Sequence, residues 1–127
     1  NRIGLTCTAT NENPMMFKVV LDNESAEYFD LARNSWSTFT HVTVRIGEVV
    51  LMPLYNGGKS YTLSQQPGFG KIHIDRTTLE WMTRVSKDFD EINGGVVRRG
   101  SCSVHTYGEI DSIAKREYDR LNNIRAF

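Results

Sequence analysis

The side chains in this 127-residue chain that could act together in catalysis are its three histidines. They are His41, His73 and His105, and Asp75 follows His73 by two positions. Three imidazoles can bind zinc and leave one coordination position open, and a histidine beside an aspartate can act as a general base. Unburied histidines also lie on the polar faces of strands without any catalytic role. We therefore treat these four residues only as catalytic candidates, and we predict no metal and no cofactor.

One histidine opens a short motif with a known counterpart. His41-Val42-Thr43 is similar to half of the paired His-x-Thr signature of two-histidine phosphoesterases. The second copy is absent, because neither His73 nor His105 has a serine or threonine two positions later. A phosphoester hydrolase or nuclease using the histidines is therefore an alternative function, and we favour a protein that is not an enzyme.

Candidate binding residues lie in the middle of the chain, where glycine and proline predict loops at residues 54–60 and 65–70. Loops on a rigid sheet often carry function, and apolar side chains exposed there are typical of contact surfaces. The candidate binding residues are Tyr55, Lys59, Tyr61 and Phe69. We therefore predict a module that binds another macromolecule, with a protein as the expected partner.

Length and charge further limit the class of protein to which the chain can belong. Residues 1–127 have the size of one domain, and fifteen basic side chains balance fifteen acidic ones. Zero net charge gives no general attraction to nucleic acid or to a membrane surface. No apolar stretch approaches the roughly 20 residues of a membrane-spanning helix. We predict a single domain without a membrane span, for which nucleic acid is not the expected partner.

Two cysteines, Cys7 and Cys102, stand far apart on predicted strands. A disulfide between them would form in an oxidising compartment, whereas two buried free thiols would indicate the cytosol. We favour the disulfide and therefore an exported protein, periplasmic or extracellular, whose signal peptide has been removed. Such a bridge would place the first and last strands side by side, where they would favour closure of the sheet and protect two edges.

Alternating polar and apolar residues predict an antiparallel β-meander over residues 1–107. Because no helices intervene between the strands, the sheet is expected to close toward a small barrel or to form a two-sheet sandwich. From Trp36 the alternation continues to Ile46, which places Trp36, Val42, Val44 and Ile46 on one face. Residues 22–34 fit either a short helix or a strand. The predicted strands are 2–10, 15–22, 36–46, 49–54, 61–64, 72–74, 79–85 and 96–105.

The C-terminal segment has a different period. Apolar residues recur at three- and four-residue steps, which predicts one amphipathic helix over about residues 109–125, with Asp111 as its N-cap. Its apolar stripe is expected to pack on the sheet, to plug a barrel mouth or to bind a partner. The third use would make the chain a structural or assembly component. The stripe consists of Ile110, Ile113, Ala114, Tyr118, Leu121 and Ile124.

Two resemblances point in the same direction. The segment 74–79, Ile-Asp-Arg-Thr-Thr-Leu, together with Gly100-Ser101-Cys102, resembles small exported β-proteins of proteobacteria and their prophages. The layout of Thr6-Cys7 and segment 17–23 is similar to that of C-type lysozyme inhibitors, which are periplasmic, disulfide-stapled β-barrels with a Ser-Gly-x-x-Tyr loop. Residues 57–61, Gly-Gly-Lys-Ser-Tyr, match that loop in part. These resemblances imply an exported domain with a binding or inhibitory function.

Overall fold

A computed structural model describes residues 1–39, 41–52, 71–84 and 96–125. In these ranges nine strands form one antiparallel sheet that curls into a half-barrel, and one helix follows them, so the predicted mainly β fold is confirmed. The elements are β1 Arg2–Thr8, β2 Met15–Val20, β3 Ser25–Asp30, β4 Ser35–Thr38, β5 His41–Val44, β6 Glu48–Met52, β7 Lys71–Asp75, β8 Glu80–Arg84, β9 Val96–Thr106 and α1 Glu109–Arg125.

The sheet consists of two meanders, β1 to β4 and β5 to β9, joined where β1 pairs with β9. β4 and β5 are therefore the two edges, although only two residues separate them in the chain. Nine strands laid flat would span ~38 Å, whereas the link between β4 and β5 reaches at most ~11 Å. The sheet must curl until its edges approach each other.

A hydrogen bond from a side chain of the first meander reaches the edge strand β5. The carboxylate of Glu24, in the turn between β2 and β3, accepts from the backbone N–H of Val44 on β5 at 3.0 Å. Beyond the end of β4, the N–H of Phe39 donates to the carbonyl of Ala26 at 3.1 Å, which extends the pairing of β3 with β4 into the link. The predicted pairing of the first and last strands is confirmed, and it gives β1 and β9 a neighbour on each side. The sequence did not predict the break between β4 and β5, which leaves these two strands as the edges.

The inner face of the half-barrel holds the main core. Phe39 packs its ring against those of Phe17 and Tyr28, with centroids 5.7 and 5.1 Å apart, so the link between the edges is anchored in this core. Side chains from both meanders therefore meet inside the curl, as burial of apolar surface requires. The buried members are Leu5, Cys7, Phe17, Val19, Ala26, Val49, Leu51, Ile72, Ile74, Trp81 and Cys102.

The helix packs on the outer face of the first meander. Ile110 and Ala114 are buried against Met16 of β2, with Phe29 and Trp36 around them. A Cβ atom on Gly4 would lie 2.6 Å from the Cβ of Ile110, so the absence of a side chain at this position lets the helix approach the sheet. This part of the predicted apolar stripe therefore packs on the sheet.

The start of the helix differs from the prediction. Thr106 and Glu109 form a capping box, in which the Glu109 N–H donates to Thr106 Oγ1 at 3.1 Å and the Thr106 N–H donates to Glu109 Oε1 at 2.9 Å. The Thr106 N–H is the main cause that lowers the pKa of Glu109. Asp111 is not the N-cap; it pairs with Lys18 Nζ at 2.7 Å, and that ammonium lies 4.4 Å from the Trp36 ring centroid.

The segment between β2 and β5 also differs from the prediction. Residues 25–30 are a strand between two turns, in which Glu24 and Asn34 have φ angles of 48° and 54°. The predicted strand 36–46 is two strands on opposite edges, so Trp36 lies on the helix side and Val42 on the inner face. Ile46 belongs to neither core, because strict alternation holds only within one strand and the chain turns after Val44.

The disulfide is formed between directly opposed residues of β1 and β9. Cys7 and Cys102 are register partners with Cα atoms 4.0 Å apart, and both side chains are buried. The Cys102 N–H points the other way, toward the carbonyl of Leu79, which makes this a pair without mutual backbone hydrogen bonds. The bridge links positions 95 residues apart.

We expect the double variant Cys7→Ala/Cys102→Ala to lose about 4 kcal/mol of unfolding free energy, since the bridge restricts the unfolded chain across a long loop. Urea unfolding with and without reductant measures the loss, and reductant should destabilise the wild type alone. Intact mass after alkylation of free thiols is the control. Two alkylated cysteines in the untreated protein would contradict the bridge.

A second prediction concerns Thr83, which faces the inner core opposite Ile72 and is 1% exposed. In the described part of the chain its Oγ1 has no hydrogen-bond partner. Thr83→Val keeps the shape and removes a desolvated hydroxyl, so the variant should gain about 1 kcal/mol of stability in urea. Thr83→Ser, which keeps the hydroxyl, is the control and should lose stability. A destabilised valine variant would show that the hydroxyl has a buried partner.

Candidate functional site

The three histidines lie on the outer face of the sheet, and the register keeps them apart. His73 on β7 lies in one row with Met82 and Arg99 of the next two strands. His105 lies six residues beyond Arg99 along β9, a distance of ~20 Å. His41 on β5 is two strands from His73 (~10 Å) and offset by a further two residues. The structure does not bring the predicted histidines together.

His105 contributes to the pairing of β1 with β9. Its Nε2 lies 2.9 Å from Thr6 Oγ1, near the point where the helix begins. It also helps to lower the pKa of Glu109, as the last and smallest cause after the hydrogen bonds to Thr106. These contacts give His105 a structural role. In the ranges 1–39, 41–52, 71–84 and 96–125, no three histidine, cysteine or acidic residues are grouped so that they could hold a metal ion.

His73 has a carboxylate partner, and it is Glu48 rather than the predicted Asp75. The two atoms, His73 Nδ1 and Glu48 Oε1, are 2.7 Å apart, with side-chain exposures of 23% and 32%. An ionised carboxylate only accepts, so Nδ1 carries the proton and donates. Glu48 Oε2 accepts from Arg45 at 3.2 Å. The sequence does not reveal this pair, because 25 residues separate its members and nothing in the sequence gives the register of β6 with β7.

Asp75 shapes the turn after β7. Its Oδ1 accepts from the backbone N–H groups of Thr77 and Thr78 at 2.8 and 2.9 Å. These N–H groups lower the pKa of Asp75, with Thr78 making the larger contribution, because they stabilise the charged form. Asp75 therefore stays ionised beside His73 while its oxygen is engaged in the turn.

Two turns at this end of the sheet are tied to each other, and we call residues 45–48 and 75–78 the turn pair. The N–H of Arg76 donates to the carbonyl of Gly47 at 2.9 Å, and its guanidinium donates to the carbonyl of Arg45 at 2.7 Å. Within the first turn the N–H of Arg45 donates to the carbonyl of Glu48 at 2.8 Å. Ile46, at the tip, is 99% exposed.

An open hollow of about 590 Å³ lies beside the turn pair. Its lining combines two carboxylates, an imidazole and a thioether, so it suits a cationic or hydrogen-bond-donating group better than a phosphate. Chemically versatile side chains therefore meet at this point of the described surface. The lining residues are Gly47, Glu48, His73, Asp75 and Met82.

The predicted binding residues Tyr55, Lys59, Tyr61 and Phe69 lie outside the described residues. The same holds for both predicted contact loops, for the predicted strand 61–64 and for the segment 57–61 compared with lysozyme inhibitors. These predictions stay as predictions.

No family model, curated protein or solved structure matches this chain. Helix α1 is not long and apolar enough to cross a membrane. The site is therefore interpreted from its own geometry.

The pKa shift of Asp75 gives a pH prediction. Because its pKa in the folded protein lies below the ordinary value of 3.8, the ionised carboxylate stabilises the fold above that pH. This contribution is lost as the pH falls through the folded pKa. The difference in Tm between the wild type and Asp75→Ala should therefore shrink in strong acid. Asp75→Asn, whose amide oxygen still accepts from both N–H groups, controls for the turn itself. A difference unchanged down to about pH 2 would contradict the assignment.

Proposed function

We propose that this chain is an exported module that binds another protein through its surface. The observation that carries the proposal is the turn pair, whose backbone is fixed by hydrogen bonds between Arg76 and two residues of the neighbouring turn. A surface that is already ordered loses little conformational freedom when it binds. Rigid, protruding turns of this kind suit recognition of a folded partner.

The distribution of buried and exposed groups supports a surface function. Large apolar side chains such as Phe17, Leu51 and Trp81 occupy the inner face of the half-barrel. The polar side chains that can form specific contacts stand outside, around His73 and Glu48. Specific recognition needs such fixed polar groups beside apolar surface.

Export is supported by the bridge between Cys7 and Cys102. Disulfides persist in oxidising compartments and are rare in the cytosol. Outside the cytosol a small domain benefits from a crosslink that restricts its unfolded state. The resemblance to lysozyme inhibitors agrees with this location and suggests inhibition as one form that binding could take.

A second candidate function is ester or phosphoester hydrolysis with His73 as general base. The pair with Glu48 favours it, because a carboxylate at 2.7 Å holds the imidazole in a defined tautomer. However, His41 and His105 lie elsewhere on the sheet, and Glu48 and Asp75 would repel a phosphate. Binding therefore accounts for the described site better than catalysis does.

The proposal predicts a discrete partner at one surface. The photo-crosslinking residue p-benzoylphenylalanine is placed singly at Arg33, Gly47 or Arg116, which sample the β3–β4 turn, the turn pair and the helix. Each protein is irradiated with a C-type lysozyme and, separately, with the extracytoplasmic proteins of the producing cell. We expect at least one position to give a single adduct that excess unlabelled wild type suppresses.

The controls define failure. Adducts of many masses that wild type does not suppress would reflect random collisions. The absence of a suppressible adduct from all three positions would contradict the binding proposal. An adduct with the lysozyme, accompanied by loss of its lytic activity, would identify the inhibitory form.

A further inference from the structure

We infer that the turn pair is the contact surface for the partner, with Ile46 as an apolar anchor and the adjacent hollow as the receptor for a cationic side chain. This inference rests on the proposed function and specifies it. The partner it fits is a folded protein with a small apolar pocket and, beside that pocket, a lysine or arginine.

Ile46 differs from most exposed isoleucines in the backbone that carries it. A single exposed isoleucine is common on protein surfaces. This one is almost completely exposed on a turn in which the N–H of Arg45 and the carbonyls of Arg45, Gly47 and Glu48 are hydrogen-bonded. It makes no contribution to either core of the described structure. Its side chain is therefore held out from the sheet by a backbone that is already ordered.

Space around the tip is open. A Cβ atom built on Gly47 meets no atom of the described residues within 4 Å, and Ile46 beside it is 99% exposed, so the tip is open in the described structure. A partner can enclose the side chain without moving the turn. Complete burial of an isoleucine is among the larger apolar gains that one residue can give, and a rigid turn loses little of it to ordering.

The hollow supplies the polar half of the contact. Glu48 and Asp75 are register partners on β6 and β7, and both line it. Arg45 pairs with Glu48 from the turn, while His73 approaches the same carboxylate from the strand. The thioether of Met82 on the neighbouring strand offers apolar contact for the methylene stem of an entering lysine or arginine. The described lining itself carries two carboxylates and neither lysine nor arginine, so charge complementarity favours a basic partner group over an acidic one.

The test uses the Gly47 crosslinking protein described above and measures how well unlabelled variants suppress its adduct. Wild type and Ile46→Leu should compete equally. Ile46→Asp should need at least about 30 times more protein, because it removes the apolar anchor and adds a charge that must be desolvated. Arg33→Ala, altered on an exposed turn at the other edge, should compete like wild type.

The hollow is tested by Glu48→Gln, which should compete about tenfold less well than wild type and show a weaker dependence on salt. Arg45→Ala is the matched control, since it removes the same Arg45–Glu48 pair and leaves the charge of the hollow intact. Equal losses in both variants would show that Glu48 acts by holding the turn and would overturn the proposed receptor role. Unfolding midpoints of all variants confirm that each is folded.

The outcomes separate this inference from the proposed function. A suppressible adduct from position 33 or 116 with none from position 47 would overturn the turn pair as the contact surface and leave protein binding standing. Equal competition by Ile46→Asp and wild type would overturn the anchor. An adduct of twice the chain's own mass would show self-association and overturn the partner. Absence of suppressible adducts at every position would overturn both proposals.

Discussion

The pairing of β1 with β9 is the constraint on which the rest of the sheet depends. It joins a four-stranded meander to a five-stranded one, and it does so between segments almost a full chain length apart. Three features secure it: the Cys7–Cys102 bridge, the contact of Thr6 with His105, and the indole of Trp81, which donates to the carbonyl of Thr8 at 3.0 Å. Because so much of the fold relies on contacts distant in sequence, closing this pair is expected to be the slow step in folding.

The pairing of β1 with β9 also determines where the helix and the candidate site lie. β9 ends at Thr106, whose side chain caps the helix, so the end of the strand sets where the helix begins. The helix then covers β1 and β2, where Ile110 packs over Gly4 and Asp111 pairs with Lys18. Helix α1 contacts β1, β2 and β9, whereas His73 and its neighbours lie on the outer face of β6 to β8. The junction of β1 with β9 therefore sets which part of the described outer face the helix packs on.

Local sequence patterns were sufficient to predict those elements that are formed by residues close together in the chain. Alternation predicted β1, the β7–β8 hairpin and β9, and the three- and four-residue period predicted the helix, because in each case burial on one face selects the period. The disulfide followed from two cysteines on strands. Alternation failed between Trp36 and Ile46, where the chain crosses from one edge to the other and changes face. The partner of His73 is Glu48 because β6 lies beside β7, and no local pattern encodes that register. The exposure of Ile46 was missed because the alternation was extended past Val44, where the strand ends and the chain turns.

The hydrogen bond from the Val44 N–H to the Glu24 carboxylate also affects association between separate copies of the chain. An edge strand offers free backbone donors and acceptors to any extended segment that drifts alongside it, which is how sheets recruit foreign strands and grow into fibrils. Here one donor of that edge is already engaged by a charged group from the same chain. A foreign strand would have to displace this carboxylate and find another partner for it. The turn between β2 and β3 therefore opposes aggregation at the edge strand β5, where another strand could otherwise pair with the sheet.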